Sequence, residues 1–320
     1  MTHSRNLHPK ISVIGAGNVG IRYAFAVALK GLARSLVIVD VDRKRAEGEV
    51  MDLQSTMPYI PPVKIVAGGY EDIAGSDLVV FSAGRRQQPG QTRLQLVGDN
   101  VELLGSIVPH VMKVSPDSVW LIAANPVDVL TYTALKISKK PWQQVIGSGT
   151  VLDSARLRLL LSERCEIDAR NIHAYILGEH GQSEFAAWSR ALVGGVFFED
   201  FCASCKNCGD YAETRRSIFE GVRDFAANVI ERKGETSYGV ALAMVRITQA
   251  ILHDENSILP VSAYVDNYYS VHDVCLSVPC IVNRGGVRER VDIKLNREEM
   301  GQLHDSARIL KEVLGKAGLC

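Results

Sequence analysis

The 320-residue chain has no net charge, no long apolar run, no cysteine spacing of the kind that staples small secreted domains, and no low-complexity stretch. Each absence removes a class of protein. Lys plus Arg equals Asp plus Glu at 36 each, so no global field draws nucleic acid or an anionic membrane surface. No stretch approaches the roughly 20 apolar residues of a membrane span, and Met1 to Lys10 lacks the apolar core of a signal peptide. The seven cysteines are an odd number, all between Cys165 and Cys320 and without a secreted-domain spacing, which fits free thiols in a reducing compartment and a soluble cytoplasmic protein. A neutral chain of this length, without internal repeats, is expected to form two domains that recognise a small molecule or a protein.

What is present is a run of strand and helix signals with glycines at the joints. Ile11 to Ile14 reads as a strand, Gly15-Ala-Gly17-Asn-Val-Gly20 as a tight turn, and Ile21 to Leu29 as the helix that follows. Gly15 permits the turn, Gly17 lets the backbone approach a pyrophosphate, and Gly20 lets helix and strand pack closely. A second strand, Leu36 to Asp40, ends in an acid about 20 residues further on, placed to accept the hydroxyls of an adenosine ribose and to repel a 2'-phosphate. NAD is therefore favoured over NADP. Further short apolar runs at 63–67, 77–82, 118–123 and 144–147 alternate with helix-length segments, which predicts a doubly wound parallel sheet. We place the domain boundary near Gly147, giving an NAD-binding Rossmann domain over residues 1–147 and a mixed α+β substrate domain over 148–320. In the second half, helices are expected near 152–161, 214–232 and 235–252. Strands are expected near 171–177, 258–265 and 274–282, and a last helix begins at the capping-box sequence Asn296 to Glu299.

Candidate chemistry gathers at three places. Ser82 to Arg93, rich in Gly, Pro and Gln, follows the fourth strand at the ligand-binding edge and reads as a lid. Asn125 ends another strand at that edge, where it serves either as a hydrogen-bonding group for a ligand or as a helix cap. The third place is 153–181, which holds Asp153, Arg156 and Arg158, then His173 and His180. Asp153 and Arg156 stand at i and i+3 on one helix face, so they offer one carboxylate to orient an imidazole and one guanidinium to grip a substrate carboxylate. Arg158 lies about 200° around the helix from Arg156 and is free for a second site. Cys202-x-x-Cys205-x-x-Cys208 has a metal-ligand look, but with only three thiols and no fourth ligand nearby it reads as a variable surface loop, and no metal is expected.

These residues resemble the L-lactate dehydrogenases, within the wider lactate and malate dehydrogenase family. The resemblance runs from about Ile11 to about Leu314 and rests on six ordered motifs: 15–20, the Pro-Gly-x-Thr-Arg lid ending at Arg93, Asn-Pro-Val-Asp at 125–128, Gly-Ser-Gly-Thr at 147–150, Leu-Asp-x-Ala-Arg at 152–156, and Gly-Glu-His-Gly at 178–181. It implies that His180 exchanges the proton, that Asp153 orients it, that Arg156 binds the substrate carboxylate and that Arg93 polarises the reacting carbonyl. Asn125, Asp128 and Thr236 complete the substrate pocket. Val19, Asp40, Arg45, Tyr70, Gly84, Arg85, Ser106, Ala123, Asn125 and Ser148 fall at cofactor-contacting positions, beside Gly15, Gly17 and Gly20. Pyruvate and L-lactate are then the substrate pair. The neutral Gln87 holds the selectivity position where the malate enzymes carry Arg. Malate dehydrogenase is the alternative, since Arg85 and Arg86 stand next to it, and a non-enzymatic dinucleotide sensor is the reading from a different class. Arg158 and His173 match the pair that binds fructose 1,6-bisphosphate between subunits in bacterial members, and the family suggests a homotetramer. Gln88, Gln91 and Gln182 depart from the Lys, Glu and Asp common at those positions.

Overall fold

The computed structural model describes residues 8–85 and 93–319. Six parallel strands come first: β1 (Lys10–Ile14), β2 (Ser35–Val39), β3 (Lys64–Ala67), β4 (Leu78–Phe81), β5 (Val119–Ile122) and β6 (Val145–Gly147). Between them run α1 (Asn18–Leu29), α2 (Arg43–Ser55), α3 (Arg93–Val114) and α4 (Val127–Ser138). The strands are apolar on both faces, as a parallel sheet covered by helices requires. Successive residues alternate between two cores: Val13, Ile38 and Val80 point to one, and Ile14, Val37 and Phe81 to the other.

The second half supplies α5 (Val151–Cys165), β7 (Ile172–His173), β8 (Ile176–Leu177), β9 (Phe185–Ala186), β10 (Leu192–Val193), β11 (Val196–Phe197), α6 (Phe198–Ser204), α7 (Tyr211–Lys233) and α8 (Tyr238–Leu252). It ends with β12 (Ser257–Val265), β13 (Val274–Asn283), β14 (Gly286–Arg290) and α9 (Arg297–Lys316), whose expected capping box is formed by Asn296 and Glu299. The architecture is the doubly wound sheet followed by a mixed α+β domain.

Two features depart from the pattern read along the chain. The segment 171–177 is not one strand: β7 pairs with β10, whereas β8 pairs with β9. The two halves also share a sheet, because Ser262 of β12 pairs antiparallel with Gly147 of β6. The nine strands run in the order β14-β13-β12-β6-β5-β4-β1-β2-β3. Residues from both halves are thereby held in register on one hydrogen-bonded frame. The chain order reverses at β1, which lies between β4 and β2, so a crevice opens beyond its C-terminal end.

Candidate active site

At that crevice the glycine-rich turn behaves as its spacing predicts. Gly15 has φ +109°, and a side chain there would run into the backbone of Ala83 at 2.5 Å. A Cβ on Gly20 would likewise meet the Gly15 carbonyl, so only hydrogen lets α1 sit this close to β1. Around Gly17 the space is open, which leaves the α1 N-terminus accessible to a phosphate. Asp40 follows β2, and its carboxylate accepts the amides of Ala16 at 2.6 Å and Asp42 at 2.9 Å. The acid thus braces the turn while standing at the position expected to receive a ribose.

The other cofactor candidates divide by location. Val19 sits in the first turn of α1, Tyr70 follows β3, Gly84 and Arg85 follow β4, Ala123 and Asn125 follow β5, and Ser148 follows β6, all along the C-terminal edge of the sheet. Tyr70 stacks on His110 with ring centroids 4.7 Å apart. Asn100 ties two of these loops together, accepting the Arg85 amide at 2.7 Å and donating to the Asn125 carbonyl at 2.9 Å. Pro126, not Asn125, occupies the cap position of α4, so the helix-cap reading of Asn125 is set aside. Arg45 lies in α2 with its amide on Asp42, and Ser106 is exposed on α3 with its hydroxyl on the Leu103 carbonyl. Gln87, Gln88 and Gln91 lie outside the described residues; Arg93 opens α3, and its side chain also lies outside them.

The ionisable cluster is built by three elements. Asp128 lies in the first turn of α4, Asp153 in the first turn of α5, and His180 in the loop after β8. That loop hangs on β13, where Gly178 and Ser277 exchange backbone hydrogen bonds of 3.0 and 2.8 Å. His180 Nδ1 lies 2.7 Å from one Asp153 oxygen, and Arg156 donates to the other at 2.9 Å. The His180 amide donates to Asp128 at 2.8 Å, so one acid fixes the loop backbone and another fixes the ring. Because Asp153 only accepts, Nδ1 is the nitrogen that carries the permanent proton, and exchange with a ligand falls to Nε2. The imidazole keeps 28% of its side-chain exposure, against 4% for Asp153 and 7% for Arg156. It is the most exposed of the three.

Burial disfavours a charged imidazole, but Asp153 opposes it by charge and hydrogen bond, with Glu184 and Asp128 adding to its effect, and the His180 pKa is raised to about 9. Asp153 is buried, which alone would raise its pKa; His180 and Arg156 overcome this and hold it below the ordinary carboxylate range. Burial lifts Asp128 to about 6. Ser262 is near enough to favour its ionised form, although neither Asp128 Oδ1 nor Ser262 Oγ completes a hydrogen bond among the described residues. Sequence reasoning passed over Glu184. It is 8% exposed, its carboxylate lies within 4.8 Å of the Asp153 and His180 ligand atoms, and burial, reinforced by the charge of Asp153, raises it to about 8. No motif marked it, because its role comes from burial beside two other acids. Arg156 lies over the Phe225 ring at 5.2 Å, and only its NH1 is hydrogen-bonded among the described residues. The guanidinium is therefore pinned on one edge and available on the other.

Thr236 lies between α7 and α8, half-buried, in a loop that Glu235 ties to Arg22 of α1 at 2.5 Å. The loop is thus anchored to the helix that begins at the dinucleotide fingerprint. Arg158 and His173 stand apart from the cluster. Arg158 is half-buried, its pKa lowered by burial and by the like charge of Arg246 against the opposing effect of Tyr175. His173 is exposed in β7, and neither side chain has an ion-pair partner among the described residues.

A dinucleotide crevice joined to a buried acid, an oriented histidine and a half-free arginine defines a nicotinamide-dependent oxidoreductase of 2-hydroxy acids. Comparison with known proteins gives the same class from the whole chain. The model of the lactate/malate dehydrogenase NAD binding domain matches residues 9–147, and that of the lactate/malate dehydrogenase alpha/beta C-terminal domain matches 150–318. The chain belongs to the lactate/malate dehydrogenase family, and its cofactor is NAD. It is 49% identical over 306 residues to L-lactate dehydrogenase 1 of Clostridium acetobutylicum, covering 95% of this chain and 97% of that one. It is 46% identical to the L-lactate dehydrogenase of Acetivibrio thermocellus, covering 95% and 96%. Among solved structures, a lactate dehydrogenase enzyme from a Medee basin deep-sea metagenome library superposes with a TM-score of 0.94 at 42% identity, covering 97% of this chain and 99% of that one. The minor L-lactate dehydrogenase of Enterococcus mundtii gives 0.93 at 38%, covering 96% and 98%. Among the described residues no helix is long and apolar enough to cross a membrane.

Proposed function

We propose that the protein is an L-lactate dehydrogenase that reduces pyruvate to L-lactate and runs in reverse. The reading is carried by the chain Arg156, Asp153, His180, in which one carboxylate receives the guanidinium on one oxygen and the imidazole on the other. NAD, held along the strand edge from Gly15 to Ser148, supplies hydride to the keto carbon when bound as NADH. The protein's own groups do the rest. The open edge of Arg156 receives the substrate carboxylate in a two-pronged contact. His180 gives its Nε2 proton to the carbonyl oxygen, and Asp153 stabilises the imidazolium beforehand and keeps the ring aligned. The resemblance assigns Arg93 to the polarised carbonyl, with Asn125 and Thr236 along the pocket. Asp128 serves by a route the structure suggests, holding the His180 backbone.

Pyruvate is preferred to oxaloacetate because Gln87 is neutral. An arginine at that position would face the pyruvate methyl group as an unpaired buried charge, at a cost of roughly several kcal/mol. The test is NADH oxidation with each keto acid, with His180→Asn as the control. A higher kcat/KM for pyruvate supports the assignment, and the reverse order makes the protein a malate dehydrogenase. Binding of NADH without turnover of either acid would leave a dinucleotide sensor.

The finer reading adds regulation. Arg158 and His173, a guanidinium and an imidazole without ion-pair partners among the described residues, suit a sugar bisphosphate shared across a two-fold axis of a cytoplasmic homotetramer. Fructose 1,6-bisphosphate is then expected to lower the KM for pyruvate through α5, which carries both Arg158 and Arg156. Titration of wild type and Arg158→Ala tests this; an unchanged KM in wild type at physiological pH removes it.

A further inference from the structure

The cysteine-rich segment is not the surface loop that its sequence suggests. Cys202 and Cys208 are buried at 2% and 4% exposure, in the same apolar cluster as Leu161, Phe198 and Ile218. The thiol missing from the local sequence arrives from elsewhere: Cys165, the last residue of α5, lies with its sulfur 3.9 Å from that of Cys208. The sulfurs of Cys165, Cys205 and Cys208 all lie within 4.8 Å of one another, and Cys202, in the last turn of α6, is buried in the same apolar cluster. Three thiols from two separated segments thus face a common point, with a fourth beside them.

We propose that Cys165, Cys202, Cys205 and Cys208 form a structural tetrathiolate zinc site that fastens the α6–α7 connection to the C-terminal end of α5. Geometry selects a single ion. Tetrahedral zinc with bonds of about 2.3 Å to sulfur separates its ligands by about 3.8 Å, and the Cys165 to Cys208 distance is 3.9 Å. An iron–sulfur cluster holds thiolates of different irons farther apart than the 4.8 Å that contains the sulfurs of Cys165, Cys205 and Cys208. The turn is also closed on itself: the amide of Cys208 donates to the Cys205 carbonyl at 3.2 Å.

The thiols are crowded together inside an apolar cluster. A divalent cation relieves the crowding: each thiol gives its proton to solvent as its bond to zinc forms, and no electrons are exchanged. Four thiolates on one dication leave two negative charges. Lys206 lies within the ligand loop, and Arg164, adjacent to Cys165, reaches the Asn207 carbonyl at 3.4 Å.

The site is remote from the chemistry. Twelve residues of α5 separate Asp153 from Cys165, about 18 Å along the axis. The ion would fix the far end of the helix whose first turn holds the imidazole partner.

The experiment is elemental analysis of the full-length protein purified with reductant and without chelator. About one zinc per chain is expected. Cys205→Ser, altered at the most exposed of the four, should carry at least fivefold less zinc. Cobalt(II) offered to stripped wild-type protein should give the intense ligand-field and charge-transfer bands of tetrahedral thiolate coordination. Stripping should also lower Tm. The proposal is overturned if reduced wild type takes up neither zinc nor cobalt, if Cys205→Ser retains the full complement, if iron with visible absorption is bound instead, or if the mass shows two hydrogens lost to a Cys165–Cys208 disulfide.

Discussion

At the residue scale, the site is an arrangement of three acids around one imidazole, and they act differently. Asp153 is ionised and orients the ring, Asp128 holds the backbone, and Glu184, raised to about 8, is protonated at neutral pH. In the proposed reduction of pyruvate His180 acts as the acid and must be protonated, so kcat/KM should fall as pH rises through the His180 pKa near 9. An ionised Glu184 helps to raise that pKa. Glu184→Gln should therefore move the basic limb to lower pH, on the order of one unit, with the neutral-pH rate kept within a few-fold. An unmoved limb would remove Glu184 from the proton balance. For His180→Asn, the loss in kcat should be on the order of 10²- to 10⁴-fold, as expected for removal of a general acid. NADH affinity measured by fluorescence should be retained.

At the element scale, the decisive pieces are α5 and the loop after β8. The fingerprint, Asp40 and the motifs on α5 are legible in the chain because each depends on neighbours a few residues away. The loop after β8 is different: Gly178 has φ +90°, and a Cβ there would stand 2.7 Å from the hydroxyl of Ser306 on α9. Gly178→Ala should cost about 1–3 kcal/mol by urea denaturation and lower kcat/KM as well, because His180 is two residues on. A stability loss with activity intact would show that the loop tolerates the shift. The break between β7 and β8 was not legible either, because a short β-branched run carries no information about which strand it will pair with.

At the scale of the molecule, the raised groups share one sign. His180 moves from 6.5 to about 9, Glu184 from 4.5 to about 8 and Asp128 from 3.8 to about 6. Each binds its proton more tightly folded than unfolded, so each contributes stability at low pH that is lost as pH rises through its folded value. For His180 that window is pH 6.5 to 9, and for Glu184 it is 4.5 to 8. Asp153, depressed when folded, acts oppositely, its contribution being lost as pH falls below the ordinary carboxylate range. The Tm measured by calorimetry should thus fall between pH 6 and 9, and the fall should be shallower in Glu184→Gln. Equal slopes in the two proteins would mean that the carboxyl is not held protonated by the fold.

The sequence by itself determined the doubly wound sheet, the NAD fingerprint and the shared helix face of Asp153 and Arg156, because periodicity, glycine stereochemistry and helical spacing are local. Only the tertiary structure decided what depends on burial and on distant partners. It joined β6 to β12, set Glu184 beside Asp153, and placed Asp128 under the His180 backbone. It also brought Cys165 to Cys208 across 43 residues of chain. A carboxyl or thiol has one chemistry when solvated and another when packed against its own kind, and no local pattern in the chain records which it will meet.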